Sequence, residues 1–198
     1  MEIIFATHNK GKLTEVKNIF QGTDVSILSL DDLNYADEIE ETGNTFEENA
    51  LIKAREIFER FRKPVIADDS GLNVEQLNGE PGIYSARFAG DNCTYDDNNK
   101  KLISVLKKYP EPHFAKFVCC AVFLSNENQF VEYGFLEGKI INSSTGKNGF
   151  GYDPIFIPNE NGGIKTLAEY TLEEKNVISH RKRAFQKLHE RLQQKNIL

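Results

Sequence analysis

The chain has 198 residues, of which 39% are hydrophobic and 27% charged, with a net charge of −6. It is long enough for one sizeable domain and contains no run near the about 18 apolar residues of a membrane-spanning helix. The acidic balance argues against gripping long nucleic acid with a basic surface, which depends on many phosphate contacts, but leaves room for a small anion held by local lysines.

Residues 3–6 read as a buried strand, too short and too lacking in basic flanks for a secretory signal. A polar loop follows, then a helix with Leu13, Val16, Ile19 and Phe20 on one face. A second helix starts at Thr45, which forms a capping-box pattern with Glu48, and runs to about Phe61 before Pro64 stops it. Val65, Ile66 and Ala67 predict a short strand leading into Asp68-Asp69-Ser70-Gly71. A glycine-rich loop covers residues 79–90, and a further helix covers residues 95–108.

The pattern then changes. Residues 115–124 and 129–141 are β-branched and aromatic runs joined by Ser125-Asn126-Glu127-Asn128, a predicted hairpin. Cys119 and Cys120 should point to opposite faces of that strand. With Cys93 they form no CxxC pair, which suits a reduced, cytoplasmic setting. A second glycine-rich stretch, residues 146–151, leads to Tyr152-Asp153-Pro154 and a strand over residues 155–157. A turn at Gly162-Gly163 precedes a short helix capped by Thr171 with Glu174. The last helix begins after Ser179 and buries Ala184, Phe185, Leu188 and Leu192. Strands and helices alternate early and a hairpin follows, so the expected fold is α/β with a mixed sheet, residues 1–198 forming a single domain.

Five segments could carry chemistry. Thr7-His8-Asn9-Lys10-Gly11-Lys12 combines hydroxyl, amide and ammonium groups with the free N–H groups of a helix start, a ready anion site. It is not a P-loop, because Leu13 stands where a hydroxyl should hold the metal; a polar turn with solvated lysines is the alternative. Lys53 lies within about 20° of Phe46 on a helical wheel, inside the apolar stripe, so it must snorkel or meet an anion. Asp68 and Asp69 follow an apolar strand, where ligand sites of open α/β sheets lie, and carboxylates there suit Mg²⁺. An Asx-turn with Gly71 left-handed is the alternative. Glu40 and Glu41 alone read as solvated charge. Gly149-Phe150-Gly151-Tyr152-Asp153 permits close backbone approach and offers Phe150 for stacking, or is plain turn packing. Lys175, His180 and Arg181 are donors near a helix start, where cations are disfavoured unless they serve a partner. His8, His113 and His189 lack zinc-ligand spacing.

Taken in order, these segments resemble the inosine triphosphate pyrophosphatase family, the XTP/dITP diphosphatases. The residues 7–12 resemble its (S/T)xNxxK opening, residues 41–50 its ETGxTFxENA helix start, residues 67–72 ADDSGL and residues 81–87 PGIYSAR; Phe150-Gly151-Tyr152-Asp153-Pro154 and Ser179-His180-Arg181 complete the set. Thr7 stands for the usual serine, and His8 stands where glycine is frequent.

The resemblance implies a two-lobed α/β fold with a long mixed central sheet and a cleft between lobes, a homodimer, and Mg²⁺-dependent hydrolysis of XTP, ITP and dITP to monophosphate and pyrophosphate. It implies that Asp69 is catalytic base and metal ligand, Glu40 the second ligand, and Lys53, Lys12 and Asp68 supports for phosphates and metal. Thr7, His8, Asn9, Lys10, Gly11 and Ser70 would line the triphosphate site. Phe150, Gly151, Tyr152 and Asp153 would hold the nucleoside, with Lys175, His180 and Arg181 facing the base. Donors there would suit the C6 carbonyl of hypoxanthine and xanthine; adenine would leave them unmet at ~1 to 3 kcal/mol each. Two other readings remain: a pyrimidine-directed pyrophosphatase, which would not need His180 and Arg181, and a non-catalytic nucleotide-binding regulator.

Overall fold

A computed structural model describes residues 1–198, apart from the side chain of Asn161. Its strands are β1 (Glu2–Phe5), β2 (Ser26–Leu28), β3 (Val65–Val74), β4 (His113–Leu124), β5 (Gln129–Ile140) and β6 (Phe156–Pro158). The α-helices are α1 (Lys10–Ile19), α2 (Phe46–Phe61), α3 (Tyr95–Leu106), α4 (Leu172–Ile178) and α5 (His180–Gln194). One six-stranded sheet has the order β2-β1-β3-β4-β5-β6. β1 pairs in parallel with β2 and β3, while β5 and β6 are antiparallel, so the sheet is mixed as its sequence pattern predicts.

The chain divides into two compact units, one of Met1–Asp69, Cys119–Gly134 and Arg181–Leu198, the other of Ser70–Val118 and Phe135–His180. In the first unit the strands are covered on both faces, and the period-2 alternation of side chains sorts them. Ile3, Phe5, Ile66, Cys119, Ala121 and Phe123 pack against Val16 of α1, its C-cap residue Phe20, and Ala184, Phe185, Leu188 and Leu192 of α5. Ile4, Ala6, Val65, Ala67, Cys120 and Val122 pack against Ala50, Ala54 and Ile57 of α2. Cys119 and Cys120 are free thiols in different cores, as strand geometry requires. Each fully buried Leu, Ile or Phe side chain contributes ~1.5 to 3 kcal/mol, so the apolar stripes of α1, α2 and α5 fix these helices on the sheet.

The second unit closes over one core of Leu72, Val74, Leu102, Leu106, Phe117, Leu136, Ile155, Phe156 and neighbours. Here the structure departs from the sequence reading at β3. The strand does not stop at Ala67; it continues through Asp68, Asp69, Ser70 and Gly71 to Val74. Leu72 and Val74 extend the buried alternation, and Gly71 is needed for close approach, not for a left-handed turn. A Cβ there would lie 2.2 Å from the Gly82 carbonyl oxygen. The loop that approaches it carries a 3₁₀ helix over Gly82–Arg87 and is tied to the strand by Ser85, whose hydroxyl donates to the Gly82 carbonyl at 2.6 Å and accepts from the Leu72 N–H at 2.9 Å.

Candidate active site

Because β3 runs on through the acidic pair, Asp68 follows the parity of Ile66 and Asp69 that of Ala67. Asp68 therefore enters the core of α1 and α5. Its Oδ2 lies 3.1 Å from Lys12 Nζ and 3.3 Å from Arg181 Nε, and the Arg181 guanidinium is also salt-bridged to Glu15. Arg181 is only 1% exposed and Glu15 is equally buried. The Cys119 thiol donates to Asp68 Oδ2 at 3.8 Å, and burial pushes that thiol well up, which keeps it unreactive. Burial alone would raise the Asp68 carboxyl, but Lys12, Arg181 and Lys53 outweigh it and hold the group well below the usual carboxylate range.

Asp69 faces α2 and is 5% exposed. Its Oδ2 accepts a hydrogen bond from the Asn49 amide at 3.1 Å, and its Oδ1 lies 4.0 Å from Lys53 Nζ. Lys53 also pairs with Glu41. Burial raises the Asp69 carboxyl above its ordinary value; Lys53 and Lys12 oppose the rise and Glu41 reinforces it. Burial would lower the Lys53 ammonium, yet Asp69, Glu41 and Asp68 together raise it. Two adjacent aspartates thus differ in character: one is a fixed anion, the other a carboxyl more ready to take a proton.

The segment before α1 is held by its own polar groups. Asn9 is the N-cap, its side-chain oxygen accepting from the Lys12 N–H at 3.1 Å, while its N–H donates to Thr7 Oγ1 at 3.2 Å. The cap directs Lys12 inward to Asp68, whereas Lys10 is exposed and Gly11 half-buried. His8 is exposed, its Nε2 donating to the Asp37 carbonyl at 3.0 Å and its ring stacked on Tyr35. Glu40 is exposed; from the same turn it is the half-buried Glu41 that reaches Lys53. Ser70, half-buried in β3, opens the second unit.

The remaining candidates gather in that second unit. Asp153 Oδ2 accepts from the Phe150 N–H at 2.9 Å and from Lys175 Nζ at 2.7 Å. The same ammonium sits 4.5 Å from the Phe150 ring centroid, a cation–π contact. Gly149 has φ +76°, and a Cβ on it would meet Asp153 Oδ2 at 2.1 Å, so only glycine lets the loop close on this carboxylate. Gly151 also has positive φ, and the buried Tyr152 hydroxyl donates to the Ser85 carbonyl at 2.9 Å. His180 is buried and stacks on Phe117 at 4.8 Å with 9° between ring planes.

Glu15, Asn49 and Glu41 are polar participants absent from the candidates chosen by sequence. A signal existed for all three, since Glu41 and Asn49 lie in the motif at residues 41–50. Glu15 stands three residues after Lys12 and Asn49 four before Lys53, so each shares a helix face with a lysine already singled out. Among the described residues no three His, Cys, Asp or Glu side chains gather as a metal cluster. Mg²⁺ needs less: one or two carboxylates, waters and substrate phosphate. Asp69 and Glu41, both paired with the Lys53 ammonium, are the carboxylates here that could serve such an ion.

The fold is mixed α/β, and buried ionisable groups gather on the long strand β3 and the helices beside it. The model of the Ham1 family matches residues 3–191, and the chain belongs to that family. It is 54% identical to a dITP/XTP pyrophosphatase of Thermoanaerobacter sp. (strain X514), over 95% of this chain and 94% of the relative. It is 46% identical to the dITP/XTP pyrophosphatase of Bacillus subtilis (strain 168), over 94% of both. Among solved structures, the Staphylococcus aureus Ham1 protein superposes with a TM-score of 0.87 at 41% identity, covering 98% of this chain and 100% of its own. A HAM1 protein from Coxiella burnetii gives 0.88 at 37% identity, covering 98% and 99%.

Proposed function

We propose that this chain is a Mg²⁺-dependent pyrophosphatase that hydrolyses the non-standard purine triphosphates XTP, ITP and dITP to monophosphate and pyrophosphate. The observation that carries the reading is the asymmetric acidic pair. Asp69, raised by burial and held by the Asn49 amide and Lys53, is suited to accept a proton, while Asp68 stays ionised between Lys12 and Arg181. The names of close relatives point to the same substrates.

In this reading Asp69 orients a water toward the α-phosphorus and takes its proton. The bond from the α-phosphorus to the bridging oxygen breaks, and pyrophosphate leaves. Lys53 and Lys12 offset phosphate charge, with Thr7, Asn9 and the N–H groups at the start of α1 beside them. Asp69 with Glu41 or Glu40 would hold Mg²⁺, which would supply further charge neutralisation for the triphosphate. Arg181, which the family resemblance places at the base, is engaged by Glu15 and Asp68, and in this reading it braces Asp68. Base recognition falls to Phe150, Asp153, Lys175 and His180 of the second unit. The reading also carries a homodimer and a cytoplasmic location; light scattering on the purified chain checks the former.

The test is an anion-exchange product assay with ITP, XTP, dITP, ATP, GTP and UTP, with and without Mg²⁺. Monophosphate plus pyrophosphate from the first three alone, and only with metal, is expected. Equal cleavage of all six, or release of orthophosphate, overturns the substrate or the bond assignment.

A further inference from the structure

Tyr95 is the first residue of α3 and is 48% exposed, a large aromatic that the apolar core does not explain. Its position is fixed from two directions. Thr94 caps the helix through a full capping box with Asp97, which sets the backbone at Tyr95. Four residues on, the buried Asn99 donates its amide to the Gly151 carbonyl at 3.1 Å, pinning the same face of α3 to the glycine loop. The Tyr95 ring consequently lies 6.2 Å from the Phe150 ring, tilted by 40°. Phe150 is itself positioned by its N–H bond to Asp153 and by the Lys175 ammonium over its ring.

An exposed aromatic held at a fixed angle beside a half-buried aromatic, on a glycine loop, is an arrangement that receives a flat ring. We infer that Tyr95 is a binding residue of the base site, its ring extending that of Phe150, 6.2 Å away, into one aromatic platform for the purine. This rests on the assignment of the Phe150 loop to the nucleoside. Stacking on an aromatic tolerates many bases and acts through contact area, so Tyr95 strengthens purine binding and adds no hydrogen-bond discrimination.

The experiment compares KM and kcat for ITP in the full chain and in Tyr95→Ala, Tyr95→Phe and Phe150→Ala, with thermal melts of each. Inhibition by inorganic tripolyphosphate, which has no base, is measured alongside. Tyr95→Ala should raise KM about fivefold or more, the lower end of what one base–aromatic contact contributes. The effect should fall on KM rather than kcat and leave tripolyphosphate inhibition where it was. Tyr95→Phe, which keeps the ring, should recover most of the loss. If Phe150→Ala raises KM and Tyr95→Ala does not, the inference is wrong and the loop assignment stands. If neither moves KM, both are wrong. An equal weakening of tripolyphosphate by Tyr95→Ala also overturns the inference, because it shows a disturbance unrelated to the base.

Discussion

Asp68 and Asp69 are consecutive in the chain and aim their carboxylates at opposite faces of β3, Asp68 at Lys12 and Arg181, Asp69 at Asn49 and Lys53. Their separation into two environments lets one strand supply a fixed anion and a proton acceptor from neighbouring residues. It also gives each aspartate its own experimental signature.

Asp69→Asn keeps the shape of the side chain and removes the proton acceptor. Turnover of ITP should fall by about 10²-fold or more, the scale of a lost general base, while circular dichroism and the melting profile stay native. Substantial residual turnover at saturating ITP would show that another group takes the proton.

Asp68 and Asp69 should also differ in how pH affects stability. The Asp68 carboxyl is depressed in the folded state, so its contribution is present above the ordinary unfolded value of about 3.9 and is lost as pH falls through and below it. The Asp69 carboxyl is raised, so the folded state binds its proton more readily; ionised Asp69 lowers stability at neutral pH, and that cost fades on acidification. Urea midpoints at pH 7 and pH 3.5 should therefore fall less in Asp68→Asn than in the unsubstituted chain. At pH 7 Asp69→Asn should be at least as stable as the unsubstituted chain. A parallel loss in all three proteins would contradict the assignment.

Arg181→Met leaves Glu15 and part of Asp68 buried without their shared cation. Breaking such a buried pair costs ~3 to 5 kcal/mol, equivalent to a melting temperature lower by about 6 to 20 °C in a chain of this length. The double variant Glu15→Met/Arg181→Met removes both charges and should lose less than the sum of the single variants. Calorimetry decides it; strict additivity would mean that the two residues do not act as a pair.

Gly149→Ala tests the clamp on Phe150. A Cβ would collide with Asp153 Oδ2, and φ of +76° disfavours any side chain, at a conformational cost of ~1 to 2 kcal/mol. KM for ITP should rise several-fold while inhibition by tripolyphosphate changes little. Unchanged KM would remove the loop from base recognition.

Much was legible in the amino-acid order. The apolar stripe of α2 with Lys53 inside it, the caps at Thr45 and Thr171, the opposed cysteines and the mixed α/β pattern all follow from local periodicity and capping chemistry, which act between residues close in sequence. The motifs at residues 7–12, 67–72 and 150–154 identified the family for the same reason: each is contiguous. Tertiary structure decided what those motifs touch. Whether β3 ended at Ala67 or ran on to Val74 depended on the close approach of Gly82 and Ser85 to Gly71, from more than ten residues away. That extension alone sent the two aspartates to opposite faces. Glu15 and Arg181 lie at opposite ends of the chain, and Tyr95 and Phe150 belong to separate elements. Such partners come together through the burial of helices α1, α3 and α5, whose apolar faces require a covering surface but do not encode which polar residues will meet beneath it.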